Sequence, residues 1–369
     1  MRISGAVLTA SGAARPYSAS RPLEIEELEL DPPGPGELLV QVEAAGICHS
    51  DLSVVNGSRP RPLPMLLGHE AAGRVIEVGD AASRDLLGRR VVMAFLPRCE
   101  ECAACRMQGR LPCERGSKAN AAGTLLSGAR RLHDGADSVA HHLGVSAFAT
   151  HAVVDRRSVV PVGDDVPAEI AALLGCAVLT GGGAVLNAAP PEPGDTIAVV
   201  GLGGVGMAAL LVALTRPGVR VVAVDTVASK REKAIALGAD EAFDPAEALD
   251  AGIQADVVIE AAGAARAFET AAQLTGVGGR LVTVGLPDPS ARASISPLDL
   301  VAGARQIIGS YLGSAVPARD IPIFEQLWRD GRLPLDELIT ARVGLGDVNR
   351  AMDELDAGRA IRQLIEFPS

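Results

Sequence analysis

Over the first 160 or so residues, apolar positions fall in short runs between turn residues. Residues 38–44, 73–78 and 90–95 are rich in β-branched and aliphatic side chains and are bounded by Gly, Pro or Asp. This pattern predicts strands of an irregular, mostly β domain. From residue 196 the rhythm changes. Apolar runs at 196–200, 219–225, 256–260 and 280–284 alternate with helical patterns at 205–215 and 229–237, which predicts an α/β unit built on a doubly wound parallel sheet. Pro190, Pro191 and Pro193 mark a linker just before it. After Pro317 the pattern predicts an amphipathic helix near 322–330 and a last helix near 348–357. The expected organisation is a catalytic domain over 1–180, a dinucleotide-binding domain over 181–317, and a return to the first domain over 318–369. No internal repeat or low-complexity tract appears.

Two stretches, 170–191 and 196–215, run about 20 residues without charge, the length of a membrane span. Both are rich in Gly and Ala and broken by turn residues, so they read as buried elements of a globular fold and no membrane association is expected. With 369 residues, 48% of them hydrophobic, the chain can bury the cores of two domains, which excludes a small disulfide-stapled scaffold. Aromatics make up only 2%, against 41 glycines, so Ala, Val, Leu and Ile must supply the core. A formal charge of -11 disfavours binding to nucleic acid or to anionic membranes. Residues 1–14 carry no continuous apolar run of the kind a secretory signal needs, so a cytoplasmic location is expected.

All six cysteines carry information. Cys99, Cys102, Cys105 and Cys113 are separated by two, two and seven residues, and this spacing within residues 97–115 fits a closed, four-thiolate structural zinc. Cys48 and Cys176 stand apart. Cys48 begins Cys48-His49-Ser50-Asp51, and His69 lies in Gly68-His69-Glu70. Two Cys and one His could hold a second metal and leave it one open position, the arrangement in which zinc acts as a Lewis acid on an alcohol or carbonyl oxygen.

Gly201-Leu202-Gly203-Gly204-Val205-Gly206 follows an apolar strand and opens a helix, the context a dinucleotide loop requires. Gly201 permits the turn, Gly203 the approach of a pyrophosphate and Gly206 close helix–strand packing. The next strand ends in Asp225, whose carboxylate suits ribose hydroxyls and repels a 2′-phosphate, favouring NAD over NADP. Lys230 and Arg231 stand near enough to oppose that preference.

Together these motifs resemble the zinc-containing medium-chain alcohol dehydrogenases over essentially the whole chain. The resemblance implies a GroES-like catalytic domain beside a Rossmann domain, with NAD and two zinc ions per chain. It implies that Cys48, His69 and Cys176 bind the catalytic zinc, that Asp51 holds the ligand His, that Glu70 lies beside the metal, and that Ser50 receives the alcohol proton. It also implies that His49 and Arg362 contact the cofactor pyrophosphate and that Phe95, Leu143, Leu286 and Tyr311 line the substrate pocket with His142 nearby. The segment between Cys113 and Gly144, with Arg130, Arg131, His133, His141 and His142, resembles the longer, class III-like lobe of the dimeric enzymes, its charges reading as a solvated loop, and a homodimer is expected. One departure is Ser53, where many relatives carry a His that passes the proton to solvent.

The expected activity is hydride transfer between an alcohol, primary and either aliphatic or benzylic, and NAD, yielding an aldehyde or ketone. Two alternatives stay open. One is a thiol-dependent formaldehyde dehydrogenase acting on a hemithioacetal, which would need polar pocket groups such as Arg115, Lys118 or Arg131. The other is a non-catalytic nucleotide-binding member of the fold.

Overall fold

A computed structural model describes residues 1–368. The chain forms two compact units, one of residues 1–176, 317–325 and 335–369, the other of residues 177–316 and 326–334. The expected domain limits had the first break after residue 180 and assigned the whole stretch from 318 onward to the first unit. Residues 326–334 instead sit with the second unit, where Arg332 donates to the Thr215 carbonyl at 2.7 Å.

The first unit is β-rich. Strands Arg2–Leu8, Leu23–Leu30, Leu132–Asp134, Asp137–His141 and Met65–Leu66 close into a small barrel, and a 7-stranded sheet lies beside it. Glu37–Ile47 is the central strand of that sheet. It pairs antiparallel with Glu70–Val78, His151–Asp155 and Arg362–Glu366. The buried side chains of Leu38, Val40 and Val42 along it pack into one core with Met93, Phe148 and Met352. Aliphatic side chains carry most of this core, as the scarcity of aromatics requires. The register fixes the site: Gly46 lies opposite Glu70 and Ile47 opposite Gln363, so Glu70, Arg362 and the chain entering Cys48 converge at one end of the sheet.

The second unit is a six-stranded parallel sheet, in the order Glu241–Phe243, Arg220–Val224, Thr196–Val200, Ala255–Glu260, Thr275–Thr283, Gln306–Gly309. In chain order this is 3-2-1-4-5-6, the doubly wound arrangement whose ligand crevice lies at the carboxyl ends of the strands where the order reverses. Helices Gly204–Leu214, Ala228–Ala236 and Ala265–Leu274 cross over between strands. The fold is therefore the expected α/β class.

The helical run Ala168–Ala188 is long and apolar enough to cross a membrane, but 89% of it is buried inside the protein. The other charge-free stretch is strand, loop and helix. The segment after Cys113 is also more ordered than a solvated loop. It forms helix Glu114–Ala122 and the barrel hairpin Leu132–Asp134 with Asp137–His141, and Arg131 reaches the buried Glu37 at 2.8 Å.

Candidate active site and metal centres

The first cluster is built on backbone geometry. Helix His49–Val55 begins directly after Cys48, and Asp51, in its first turn, accepts the Cys48 N–H on Oδ2 at 3.0 Å. Its other oxygen accepts the Gly68 N–H at 3.3 Å and faces His69 Nδ1 at 2.9 Å. A carboxylate is acceptor-only, so His69 carries its proton on Nδ1 and presents Nε2 as a bare donor atom. That Nε2 is buried without a hydrogen-bond partner, as are both Glu70 oxygens. Cys176 lies in a widened helical turn, Leu174–Val178. A Cβ on its neighbour Gly175 would sit 2.3 Å from the Met93 carbonyl oxygen, so only glycine lets this turn approach strand Arg90–Met93. As a result the side-chain donor atoms of Cys48, His69, Glu70 and Cys176 all lie within 4.8 Å of one another. Two thiols, one imidazole and one carboxylate with orphaned lone pairs form a borderline-soft donor set that suits zinc.

The electrostatics follow from burial. A hydrogen bond from Cys176 holds the Cys48 thiol well below its ordinary value, burial opposing it, and the same bond pushes Cys176 well above, so the pair shares one proton. Burial lifts Glu70 to about 7 although Arg362 pulls it down. Burial works against the Arg362 charge, but Glu70, Cys48 and Cys176 outweigh it and keep the guanidinium protonated. Arg362 Nη1 stands 3.6 Å from Glu70 Oε2 and donates to the Ile47 carbonyl at 3.1 Å. Burial also opposes the Asp51 charge, yet His69 and His142 together bring it down to about 2.

Of the residues expected near the substrate, Phe95 and His142 flank His69 edge-on, at ring distances of 5.6 and 5.4 Å, and Leu143 is buried beside His142. Leu286 and Tyr311 belong to the other unit and are partly exposed there. Ser50 is half-buried and His49 exposed on the first turn of the helix. Ser53 Oγ donates to the Ser50 carbonyl at 2.8 Å, so its hydroxyl proton is engaged. The cationic groups considered for a thiol adduct are largely occupied: Arg115 pairs with Glu101 at 2.5 Å and Arg131 with Glu37. Sequence reasoning placed His142 at the substrate without seeing its link to Asp51. The signal lay in Leu143-Gly144-Val145-Ser146, whose tight turn aims the ring.

Cys99, Cys102, Cys105 and Cys113 form a second cluster, again with sulfur atoms within 4.8 Å of one another, and none is in a disulfide. Backbone N–H groups of Cys99 and Gly116 point at Cys113 Sγ, at 3.4 and 3.3 Å, and that of Cys102 at Cys99 Sγ, at 3.4 Å. N–H donors around sulfur favour thiolates, the form that binds metal.

In the second unit Gly201 adopts φ 91° at the turn after the first strand. A Cβ on Gly206 would lie 1.7 Å from the Gly201 carbonyl oxygen, whereas one on Gly203 would meet nothing within 4 Å. That open space beside Gly203, at the start of helix Gly204–Leu214 with Val205 in its first turn, is where an anion can approach. Asp225 is buried at the end of the second strand, and Lys230 is half-buried in the following helix. Asp225 Oδ2 accepts the Leu202 N–H at 2.6 Å and Oδ1 the Val227 N–H at 2.8 Å.

A Cys–His–Cys cluster on a β-rich unit, continued by a doubly wound dinucleotide unit, defines a metal-binding, nucleotide-dependent oxidoreductase. Residues 34–164 match the alcohol dehydrogenase GroES-like domain and residues 204–328 the zinc-binding dehydrogenase domain. The chain is 37% identical over 365 residues to putative alcohol dehydrogenase D of Mycobacterium tuberculosis, covering 96% of this chain and 98% of that one. It is 32% identical over 370 residues to S-(hydroxymethyl)glutathione dehydrogenase of Synechocystis, covering 97% and 100%. The benzyl alcohol dehydrogenase structure from Acinetobacter calcoaceticus superposes with a TM-score of 0.90 at 28% identity, covering 100% of both chains. The chain belongs to the zinc-containing medium-chain alcohol dehydrogenase family, and it is an oxidoreductase acting on alcohols.

Proposed function

We propose that this enzyme oxidises a primary alcohol, aliphatic or benzylic, with NAD, and that Cys48, His69 and Cys176 hold its catalytic zinc. The observation that carries this reading is the convergence of two thiols and the orphaned His69 Nε2, with Asp51 behind the ring. Zinc bound there would polarise the alcohol oxygen, and the nicotinamide would accept the hydride.

The protein's own contribution is placement. Asp51 fixes the tautomer and plane of His69, in the way outer partners of metal-binding histidines do. Glu70 and Arg362 form a buried ion pair beside the thiols and keep the local charge balanced. Ser50 takes the alcohol proton, which its place two residues after Cys48 on the same turn supports. With Ser53 Oγ–H committed to a carbonyl, the proton leaves Ser50 by another route than the His of many relatives. Phe95 and Leu143 supply apolar walls that suit a hydrocarbon chain or ring. The benzyl alcohol activity named for the Acinetobacter structure favours the benzylic choice.

A second, structural zinc is assigned to Cys99, Cys102, Cys105 and Cys113, whose four sulfurs leave no position for substrate. NAD rather than NADP is supported by Asp225, whose carboxylate at the end of the second strand would repel a 2′-phosphate bound there. A homodimer is supported by the exposed apolar strip along the sheet edge formed by Gln306–Gly309, and a cytoplasmic location by six free thiols.

Replacing Cys176 by Ala is expected to lower zinc by one ion per chain and abolish turnover while NAD still binds, measured by metal analysis, alcohol-dependent NADH formation and cofactor titration. Turnover that survives the loss of that zinc would overturn the assignment.

A further inference from the structure

The turn after strand Asp137–His141 is held in a conformation most residues resist. Leu143 (φ 52°), Gly144 (φ 68°) and Ser146 (φ 54°) all adopt left-handed backbone, which costs a non-glycine residue on the order of 1 kcal/mol or more. Ser146 Oγ accepts the His142 N–H and donates to the Leu66 carbonyl, both at 2.8 Å. The N–H groups of Val145 and Ser146 turn back to the His142 carbonyl at 3.0 and 3.2 Å. The turn is thereby riveted to the segment that leads into Gly68-His69.

This strain secures the position of one imidazole. His142 is buried, its ring stands edge-on to His69, and its Nδ1 lies 3.2 Å from Asp51 Oδ1. That is the same oxygen that takes the His69 Nδ1 proton at 2.9 Å. A ring nitrogen facing a carboxylate oxygen at this distance must carry hydrogen, because two lone pairs would repel. The approach is off the ideal hydrogen-bond line, and Nδ1 has no other hydrogen-bond partner. Its interaction with Asp51 is therefore electrostatic and competes with that of His69. Asp51 itself cannot drift toward either ring, being pinned by the N–H groups of Cys48 and Gly68.

We propose that His142 is a positioning residue that divides the charge of Asp51 between two imidazoles, and so sets how strongly His69 Nε2 donates to the metal. This rests on the reading of Cys48, His69 and Cys176 as the catalytic zinc ligands. Outer partners of ligand histidines change metal affinity by roughly 10–100-fold when removed. A competitor for one oxygen acts more weakly and in the opposite sense. With His142 gone, Asp51 draws harder on the His69 proton, Nε2 becomes a better donor, and zinc is held more tightly at the cost of its electron-poor character.

The test compares His142→Phe, which keeps a ring against His69 and removes the proton donor, with His142→Asn, which restores a donor near the Nδ1 position. Zinc affinity of the open site is read by chelator competition on enzyme that retains its lobe zinc, and the donor strength by the absorption bands of the cobalt-substituted site. The Phe variant is expected to hold zinc roughly threefold to tenfold more tightly and to shift the cobalt bands, with the Asn variant returning both toward the parent. Unchanged or weaker zinc binding in the Phe variant would overturn the proposal. The Cys176→Ala enzyme separates this from failure of the site itself: if it keeps the open-site zinc, the ligand assignment falls, and the role of His142 with it.

Discussion

His141 and its neighbour His142 show how far one side chain's burial can govern the behaviour of the protein. Burial is the main force holding His141 down to about 3, with Arg130 and Arg131 adding to it. Its Nε2 accepts the Arg131 N–H at 3.0 Å, which the neutral ring can do and the cation cannot. In the unfolded chain an ordinary histidine titrates near 6.5. Between those values the unfolded state binds a proton that the folded state refuses, so stability rises with pH through this window and is lost as pH falls below about 6.5. From pH 7 to pH 5 this one ring accounts for about 2 kcal/mol of lost stability. His141→Gln keeps an acceptor for Arg131 and removes the titration. Urea unfolding of both zinc-loaded proteins is expected to show the variant losing about 2 kcal/mol less over that interval; parallel losses would show that His141 is not the proton-binding group. None of this was legible in the chain, where His141 reads as one more charge of a loop. The side chains that the structure gathers into its two cysteine clusters were legible because their chemistry is carried by residue type and spacing. Burial, which turns His141 into a liability and His142 into a partner of Asp51, is a property of three-dimensional packing.

At the level of elements, the period of apolar residues exposed the central strands of the second unit and the helices that follow its first two. Parallel strands buried on both faces read as continuous Val and Ile runs, and the four expected ones lie within a residue or two of their places, except that the strand expected to start at Arg280 begins at Thr275; the short edge strands Glu241–Phe243 and Gln306–Gly309 were not anticipated. The first unit was harder. Leu23–Leu30 alternates Leu or Ile with Glu except for a slip at Glu26-Glu27, a strand signal blurred by that slip and by its acidity, and Met65–Leu66 is too short to show any period. Expected as a partner for ribose hydroxyls, Asp225 also ties the glycine loop to the strand end through the Leu202 and Val227 N–H groups. Asp225→Ala would leave those donors without their acceptor, at about 1–3 kcal/mol each where they stay buried. NAD is therefore expected to bind on the order of tenfold or more weakly, while NADP, freed of the opposing charge, loses less. The ratio of kcat/KM for the two cofactors checks this, and an unchanged ratio would remove Asp225 from cofactor choice.

For the molecule as a whole, the sheet edge is the feature a single chain leaves unresolved. Gln306–Gly309 ends the six-stranded order and pairs on one side only, with Thr275–Thr283. Around it Val277 and Val301 are each 81% exposed and Leu298 72%. The turn beside Val277 is tied to the end of helix Pro297–Ala302 by the Gly278 N–H to the Gly303 carbonyl at 2.7 Å. An open edge flanked by apolar side chains invites pairing with another chain unless charge or proline blocks it; here Val277, Leu298 and Val301 are exposed near the edge, with Arg305 and Asp299 as the charges among them. A second copy related by a two-fold axis would bring the same edge and the same valines together, the self-complementary contact of an isologous dimer. A stable interface needs roughly 800 Å² from each partner, more than these side chains supply alone, so the strand itself has to join. Val301→Asp would place a carboxylate on this exposed patch, beside Asp299. The parent enzyme is expected to sediment as a dimer at micromolar concentration, and the variant as a monomer with its open-site zinc still bound, because the metal cluster lies wholly in the other unit. A parent that is already monomeric, or a variant that stays dimeric, would move the interface elsewhere and leave this edge without the partner its composition calls for.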